Sequence, residues 1–404
     1  MVRIEEGLTA GVEMPADPAA WRCWLTDEVA PFWIRRVAAP QGYLEYLTPE
    51  GEPAPLAALN PLVTARLVYC FSQLHLLGAA PSALEAAWHG FRFLTERCWD
   101  DAEGGFCHGV SAAGEPLDRA KHAYDMAYVL FGLAWLHRAS GDRAPLEWAS
   151  RIMDYLDVHL RDPRRGGYRV AAAAEPAEVD TRPRELAAQM HLLEAFQALH
   201  GGTGEGAWLA HAEEMVAFIL ERLIDRETGS LGEHYTADWR PRPGLEGEIR
   251  EPGDNFEVAW MLHGHARITG DARSRAAADR LYDFSLRYGV ESAPGFLPAA
   301  FAQVTRRGVV VKDAKPLWAQ TELVKAALGR LEASGDPAAG ALARGHLRLI
   351  FRHYLVDRRG LWRNELGRDG SDARVTLPVR VLYHLLLCFA EALRLWPRLQ
   401  AVDV

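Results

Sequence analysis

A regular repeat of glycine turns runs along the chain and restricts the folds open to it more than any other feature. Glycines that begin a turn before an aromatic residue or a leucine stand at positions 42, 105, 167, 229, 295 and 360. Consecutive positions therefore differ by 63, 62, 62, 66 and 65 residues. The residues around each glycine have the pattern of two short strands. A period of this length indicates one supersecondary unit that is used six times.

Between these turns, the apolar residues recur with the three- to four-residue spacing of amphipathic helices. Two helices fit between successive turns, so each unit consists of a helix, a glycine turn with a β-hairpin, and a second helix. The twelve predicted helices lie near residues 18–37, 60–78, 82–99, 119–140, 143–160, 184–201, 204–224, 254–269, 271–288, 314–334, 336–355 and 375–396.

Six helix pairs can all bury their apolar faces by closing a ring. We therefore predict an all-α fold, an (α/α)6 barrel of twelve helices with short β-hairpin inserts at one end. An open solenoid is the alternative, but it needs terminal repeats with a polar outer face. The last predicted helix instead carries Val381, Leu385 and Phe389, which suits an inner position. We expect one domain over residues 1–404, with Val170 to Glu178 as a loose loop insertion.

The inserts precede the second helix of each pair, so the N-termini of the inner helices should gather at the insert-bearing end. Polar and ionisable side chains stand near each of these helix starts, where they are costly unless they are paired or in contact with water. Together they predict a polar pocket, although a single histidine on an apolar helix is more often a hydrogen-bonded core residue. These side chains are Arg66, Lys121, Tyr124, Asp125, His191, Glu194, Asp254, Glu257, Lys315, Trp318, Glu322, Arg380, Tyr383 and His384.

The start of the eighth predicted helix allows two interpretations. Asp254, Glu257 and Trp260 are spaced three residues apart, so they share roughly one helix face and could form a sugar-handling surface. Asp-x-x-Glu is also the pattern of a capping box, with Asp254 at the N-cap and Glu257 three residues later. The segment alone favours the capping box, which is the commoner use of this pattern.

Composition and charge argue against several classes of protein. The net charge is −9 and basic residues do not cluster among exposed aromatics, so we expect no nucleic-acid partner. No apolar run is long enough to span a membrane, and the start MVRIEEGLTAG lacks the apolar core of a signal peptide. We therefore expect a cytoplasmic protein, either a monomer or a homodimer.

The cysteines and the spacing of other ligand-type residues indicate no metal or cofactor. The five cysteines are odd in number and have no CxxC spacing, so we interpret them as reduced core thiols. No metal-ligand spacing is visible, and no glycine-rich phosphate loop follows a strand. The cysteines are Cys23, Cys70, Cys98, Cys107 and Cys388.

Six segments resemble, in chain order, successive motifs of the N-acylglucosamine 2-epimerase family, and the match runs from about residue 30 to 395. The resemblance implies an (α/α)6 barrel that interconverts sugars at C1 and C2, as the family's 2-epimerases of N-acylglucosamine and cellobiose and its isomerases of mannose and sulfoquinovose do. The segments are Lys121-x-x-Tyr124-Asp125, Met190-His191-x-x-Glu194, Leu231-x-Glu233-x-Tyr235-x-x-Asp238-Trp239, Pro252-Gly253-x-x-x-Glu257-x-x-Trp260, Lys315-x-x-Trp318-x-Gln320-x-Glu322 and Tyr383-His384.

The resemblance also implies roles for individual residues. Arg66 corresponds to an arginine that holds substrate hydroxyls and steadies an enediolate oxygen, and His384 to the histidine that moves the proton between C1 and C2. With Asp254 and His191 as further catalytic candidates, the remaining predicted substrate-binding residues are Tyr124, Glu194, Glu257, Trp260, Trp318, Glu322 and Arg380.

One departure from the family pattern decides between the two reactions. Asp254 stands where most members have a second catalytic histidine after Pro-Gly. Epimerisation at C2 usually needs a second group that returns the proton to the other face, whereas isomerisation through a cis-enediol needs one base. The helix dipole should lower the pKa of Asp254 and make it a poorer base. We therefore predict an aldose–ketose isomerase of the mannose/fructose type.

Three alternatives remain open at this point. A sugar 2-epimerase would need two acid/base groups, a route that Asp254 in place of the second histidine handicaps. In an isomerase, Asp254 would assist ring opening or bind a hydroxyl, with His191 as a second acid/base. A glycoside or unsaturated-uronide hydrolase would use a carboxylate pair, for which Asp254 with Glu257 or Glu322 are candidates. A non-catalytic sugar-binding protein would bind a sugar without turnover.

Overall fold

The structure is a computed structural model that describes residues 11–54, 58–172, 181–373 and 375–401. Helices make up most of it, and the twelve predicted helices are confirmed, with ends that shift by a few residues. The six inner helices are Pro61–Leu76, Ala123–Ser140, Leu186–Thr203, Pro252–Thr269, Leu317–Ser334 and Leu382–Arg394, which we call the first to sixth inner helix.

The outer helices alternate with the inner ones, and most of them contain a π-helical turn. A short helix, Leu245–Glu248, a 3-10 turn, Val379–Val381, and a C-terminal helix, Trp396–Ala401, complete the helical elements. The outer segments are Pro18–Cys23 with Trp24–Val29 and Ala30–Val37, Ser82–Phe93 with Leu94–Cys98, Ala144–Tyr155 with Leu156–Leu160, Gly206–Phe218 with Ile219–Leu223, Ala272–Tyr288, and Pro337–Leu349 with Ile350–Tyr354.

All six glycines of the repeat adopt a left-handed backbone conformation. Their φ angles are 63° at Gly42, 74° at Gly105, 67° at Gly167, 73° at Gly229, 89° at Gly295 and 76° at Gly360. A side chain at such a φ would crowd the backbone, and glycine avoids that cost. The repeat in the sequence is therefore a repeat of one backbone turn.

Short antiparallel strands link each unit to the next around the ring. The segment before each inner helix pairs with the insert of the following unit: Leu59 with Val110, His122 with Ala171, Arg184–Glu185 with His234–Tyr235, Ile249–Arg250 with Gln303–Thr305, Lys315–Pro316 with Glu365–Leu366, and Leu377–Pro378 with Tyr46–Leu47. The last link joins the end of the chain to its first insert. Two inserts also form hairpins, Gly109–Val110 with Pro116–Asp118 and Gln303–Thr305 with Val310–Lys312.

The closing strand pair decides between a ring and a solenoid. Tyr46 pairs with Pro378 and Leu47 with Leu377, and the sixth inner helix also packs against the first. The predicted (α/α)6 barrel is confirmed, and the open solenoid is wrong.

Side-chain amides on three inner helices fix the inserts to the barrel. Gln189 bonds both the N–H and the C=O of Tyr168, Asn255 does the same with Leu231, and Gln320 does so with Ala300. A primary amide can donate and accept at once, so one side chain satisfies two buried backbone groups. These bonds hold the insert loops over the N-termini of the inner helices.

The cysteine prediction is correct for four residues and wrong for one. All five thiols are unpaired, but Cys23 is exposed, because it lies on the outward face of the first outer helix. Most of the predicted loose loop, residues 173–180, lies outside the described residues, as does the start of the chain up to residue 10. Within the described ranges, the helices are too short or too polar to cross a membrane.

Candidate active site

A polar pocket of about 380 Å³ opens where the inserts meet the starts of the inner helices, as the sequence predicted. We call this end the mouth of the barrel. Eight of the predicted site residues line the pocket: Arg66, Tyr124, His191, Asp254, Glu257, Trp318, Arg380 and His384. Glu194 and Glu322 lie beneath it and contact its lining.

His384 has one ring nitrogen held by the protein and one turned to the pocket. Its Nδ1 lies 2.8 Å from Oε1 of Glu322, so the carboxylate accepts the Nδ1 proton and leaves Nε2 as the basic atom. Among the described residues, Nε2 of His384 has no hydrogen-bond partner. Burial holds the pKa of His384 well below its usual value, which keeps the ring neutral.

Lys325 supports this pair from below, and the sequence reasoning missed it. Its fully buried ammonium lies 2.6 Å from Oε2 of Glu322 and 3.4 Å from Oε1 of Glu257. Burial raises the pKa of Glu322 to about 7, and the ammonium opposes that rise. Lys325 thus favours the charged form of the acceptor behind His384. Lys325 stands among apolar residues on its helix, and its partner Glu257 is 68 residues away in the sequence. The sequence pattern therefore does not show that the two side chains meet.

His191 is held at both ring nitrogens. Its Nδ1 lies 3.1 Å from Oε2 of Glu194, and its Nε2 lies 2.9 Å from the hydroxyl of Tyr128. Tyr383 donates a second hydrogen bond to Glu194. Burial would raise the pKa of Glu194, but the bonds from His191 and Tyr383 bring that pKa below its usual value. His191 is therefore fixed in place by a charged neighbour.

Arg66 brings a guanidinium to the pocket wall. Its Nη2 donates to the hydroxyl of Tyr124 at 3.1 Å, and its guanidinium carbon lies 3.9 Å from the ring centre of Tyr128. Nε of Arg66 is buried and has no acceptor among the described residues. A planar cation packed on an aromatic ring keeps its orientation, so it can hold an oxyanion in the pocket.

Trp318 forms one side wall because the residue opposite it is a glycine. A Cβ on Gly253 would lie 2.3 Å from the indole of Trp318, closer than two carbon atoms can approach. The indole then lies 5.9 Å from the ring centre of His384. The Pro-Gly pair that starts the fourth inner helix therefore makes room for an aromatic wall beside the candidate base.

Three carboxyl groups meet beside the fourth inner helix, and their environment corrects the prediction for Asp254. Asp254, Glu233 and Glu251 all line the pocket, and the last two were not predicted as site residues. Burial and the charges of Glu233 and Glu251 raise the pKa of Asp254 well above its usual value. The expected lowering by the helix dipole is wrong, because burial and two like charges outweigh a helix end.

The capping-box interpretation is also wrong. The helix begins at Pro252, its N-cap is Glu251, and the cap makes no side-chain hydrogen bond. Asp254 is the third helical residue and points into the pocket. Its carboxyl group is thus available to a ligand.

Trp260 lies away from this pocket, which corrects the predicted sugar-facing surface. It lines a second cavity, of about 420 Å³, formed by the C-terminal halves of the inner helices at the opposite end, which we call the base. Its indole Nε1 donates to Glu391 at 3.3 Å, and the Lys325 ammonium lies 4.4 Å from its ring centre. Six residues along a helix is a rise of about 9 Å, so Asp254 and Trp260 cannot serve the same small ligand at the mouth.

Two other lysines named from the sequence are structural. The Lys121 ammonium contacts Asp100 at 3.0 Å, and the Lys315 ammonium binds the carbonyl of Leu297. Asp125 accepts from His108 at 2.7 Å. These groups hold insert loops, and they are absent from the pocket lining.

Carboxylates and imidazoles from different helices come close enough at the pocket floor to resemble metal ligands. Two overlapping sets have donor atoms within 4.8 Å, His191 with Glu194 and Glu257, and Glu257 with Glu322 and His384. The second set already contacts the Lys325 ammonium. The protein's own cation therefore balances the charge that a metal ion would balance there.

Comparison with known proteins identifies the family of this chain. Residues 42–388 match the family described as N-acylglucosamine 2-epimerase (GlcNAc 2-epimerase). The mannose-6-phosphate isomerase of Rhizobium meliloti (strain 1021) is 28% identical over 377 residues, covering 91% of this chain and 94% of that protein.

Two solved structures share the whole fold. Cellobiose 2-epimerase from Spirochaeta thermophila DSM 6192 superposes with a TM-score of 0.83 at 25% identity, covering 96% of this chain and 97% of that one. A D-mannose isomerase superposes with a TM-score of 0.83 at 19% identity, covering 95% of this chain and 100% of that one. The chain belongs to the N-acylglucosamine 2-epimerase family of sugar epimerases and isomerases, and it is an enzyme of the isomerase class.

Proposed function

We propose that the protein is an aldose–ketose isomerase that acts on a free monosaccharide of the mannose/fructose type. The observation that carries this proposal is the single available imidazole nitrogen at the mouth. Nε2 of His384 faces the pocket without a partner among the described residues, whereas both nitrogens of His191 are engaged. One base on one face of the sugar suffices for isomerisation through a cis-enediolate.

The proton transfer follows from this arrangement. Nε2 of His384 takes the proton from C2 of the open-chain aldose, and the electron pair of that C–H bond forms the enediolate. The Arg66 guanidinium holds the oxygen that becomes negative. A proton moves from O2 to O1, and His384 returns its proton to C1. The sugar gains and loses no atoms, and His384 ends neutral.

The charges at the mouth favour a free sugar over a sugar phosphate. Besides Glu257, which contacts Lys325, the carboxyl groups that line the pocket are those of Glu233, Glu251, Asp254 and Glu365. They face the two guanidinium groups of Arg66 and Arg380. Carboxyl groups outnumber guanidinium groups on this lining, so it offers a phosphate dianion few cationic partners. The relative in Rhizobium meliloti is named for a phosphorylated mannose, and the acidic mouth is our reason to propose unphosphorylated mannose here.

A single-turnover reaction in D2O tests the proposal. Mannose incubated with the enzyme should yield fructose that carries deuterium at C1, as read by NMR. Product that consists only of the C2 epimer, glucose, with deuterium at C2 would overturn it. A phosphatase-treated and an untreated sample of mannose 6-phosphate form the matched pair for the phosphate question, and only the treated sample should react.

The second candidate is a sugar 2-epimerase, and one observation favours it. The carboxyl group of Asp254 has a raised pKa and lines the same pocket as His384, so it could return a proton to the other face. The same labelling experiment separates the two reactions. A hydrolase is less well supported, because Glu257 and Glu322 both contact Lys325 beneath the floor.

A further inference from the structure

Glu233 and Asp254 are placed so that they need a shared proton. Their side chains lie within hydrogen-bond distance of each other. Glu233 is 9% exposed, and its Oε1 is buried without a hydrogen-bond donor among the described residues. Two carboxylate oxygens cannot bond unless one of them carries a proton. The folded protein therefore keeps at least one proton on this pair.

The groups around the pair reinforce this state. Glu251 and Glu257 face Asp254, and Glu185 and Glu251 face Glu233, so the neighbouring charges are mostly negative. Arg250, the cation whose charge acts on Glu233, is engaged by Ser230 at 2.8 Å, by the Gly247 carbonyl at 3.0 Å and by Asp225 at 3.3 Å. Burial and the charge of Glu251 raise the pKa of Glu233 to about 8. A proton thus remains on the pair across the neutral range.

We propose that the Glu233–Asp254 pair interconverts the anomers of reducing sugars, a mutarotase activity that is separate from the proton transfer at C2. Opening a pyranose requires a proton for the ring oxygen O5 and an acceptor for the proton on O1. A pair of carboxyl groups with one proton offers both. Asp254 and Glu233 both line the pocket, and Asp254 is the more exposed of the two, so Asp254 meets the sugar.

The step balances without a co-reactant. The C1–O5 bond breaks and takes up the pair's proton at O5, the C1=O1 bond forms, and the O1 proton passes to the pair. The pair carries one proton before and after. O5 then adds to either face of C1 in the reverse step, which gives either anomer. The open-chain sugar formed on the way is also the form from which His384 takes a proton.

The proposal rests on the function proposed above only for the class of ligand, a reducing sugar. A test in a variant that cannot isomerise the sugar therefore measures the mutarotase activity separately from the proposed isomerase activity. The probe is freshly dissolved α-D-mannose, followed by polarimetry and by NMR of the anomeric protons, with the rate in buffer subtracted. The background is His384→Asn, which removes the base for the C2 proton.

In the His384→Asn background, anomer interconversion should remain faster than in buffer. Adding Glu233→Gln or Asp254→Asn should lower that rate by about 100-fold or more, a typical loss for a general acid/base. In Glu233→Gln, the new side-chain amide would donate to Asp254 and leave it ionised, so the pair would have no acid. Asp238→Asn is the matched control, because this exposed carboxylate on the same insert pairs with Arg240 at 3.0 Å outside the pocket.

A second probe keeps the proposal testable if the His384 variant does not fold. 2-Deoxy-D-glucose lacks the hydroxyl at C2, so it can form neither a ketose nor a C2 epimer, but it can anomerise. Wild-type enzyme should accelerate its mutarotation, and Glu233→Gln should not. No acceleration of either sugar above buffer, or equal rates with and without Glu233 and Asp254, would overturn the proposal.

Two readouts distinguish proton sharing from a structural role. The infrared absorbance of protonated carboxyl groups at neutral pH should decrease in Glu233→Gln and stay unchanged in Asp238→Asn. The pair carries a single proton once Glu233 loses its own near pH 8 while Asp254, whose pKa is strongly raised, keeps the other, so the mutarotation rate should rise as pH rises through about 8. A rate that falls through the same range would contradict the one-proton pair.

Discussion

The barrel has a cavity at each end, and the two differ in chemistry far more than in size. The mouth pocket has a volume of about 380 Å³ and the base cavity about 420 Å³. At the base, Arg394 contacts Glu332 at 2.7 Å and Glu391 at 2.8 Å, so these carboxylates have cationic partners. At the mouth, Asp254 and Glu233 have none among the described residues.

The difference follows from the direction of the helices. Inner helices end at the base, where glycines at 141, 204, 270 and 335 adopt φ between 71° and 76° and close the last turn. The mouth receives the helix starts together with the inserts, which bring in residues such as Glu233 from outside the barrel wall. Uncompensated groups therefore collect at one end, and a cavity alone does not make a site.

Removing the candidate base should have the largest effect on activity. His384→Asn should lower the rate of ketose formation by about 10²- to 10⁴-fold, because Nε2 is the available imidazole nitrogen in the mouth. The assay is the initial rate of fructose release, with the melting temperature as a check on folding. Trp260→Phe, at the base, is the matched comparison. Equal losses in the two variants would break the distinction between mouth and base.

Lys325 lies between the two cavities, and its loss should have the largest effect on stability. Lys325→Met should lower the free energy of unfolding by about 3–5 kcal/mol, since Glu257 and Glu322 would remain buried without a cation. Urea denaturation measures this change. Lys312→Met should cost no more than about 1 kcal/mol, because its contact with Glu365 at 3.8 Å is largely exposed. A similar loss of unfolding free energy in both variants would show that Lys325 does not balance the charges of Glu257 and Glu322.

Substitution of Trp318 should affect substrate binding more than substitution of Trp260. Trp318→Ala should raise KM by a few-fold to about tenfold, which corresponds to about 0.5–1.5 kcal/mol for an aromatic contact. Trp260→Phe should leave KM nearly unchanged, because its ring lines the base cavity. Steady-state kinetics on mannose measures both. An increase in KM in Trp260→Phe but not in Trp318→Ala would indicate that the sugar binds in the base cavity.

The pH profile should show the smallest effect. A base with the usual histidine pKa of about 6.5 would lose about three quarters of its neutral form at pH 6. Burial holds the pKa of His384 well below that value, so kcat/KM should stay nearly flat between pH 7 and 6. The sign is fixed, because a lowered pKa keeps the base neutral as pH falls. A loss of about threefold between pH 7 and 6 would show a base of ordinary pKa.

A site residue was predictable from the sequence where its place in the repeat was enough to locate it. Arg66, His384 and Trp318 stand near the starts of inner helices, so the repeat alone placed them at the mouth. Glu233 and Lys325 were missed for different reasons. Glu233 lies in an insert whose path over the barrel depends on the neighbouring unit, and Lys325 meets a residue 68 positions away.

The sequence by itself determined six repeated units and favoured a ring, because one unit cannot bury its apolar face and a left-handed turn needs glycine at a fixed period. The strand pair of Tyr46–Leu47 with Leu377–Pro378 then decided the closure. The sequence also determined which helix ends carry polar groups. The tertiary structure decided which of those groups face the same space. It placed Trp260 at the base, and it placed Asp254 against Glu233, which reversed the expected pKa shift. The physical reason is that burial and charge repulsion depend on distances between helices, and a linear pattern does not contain those distances.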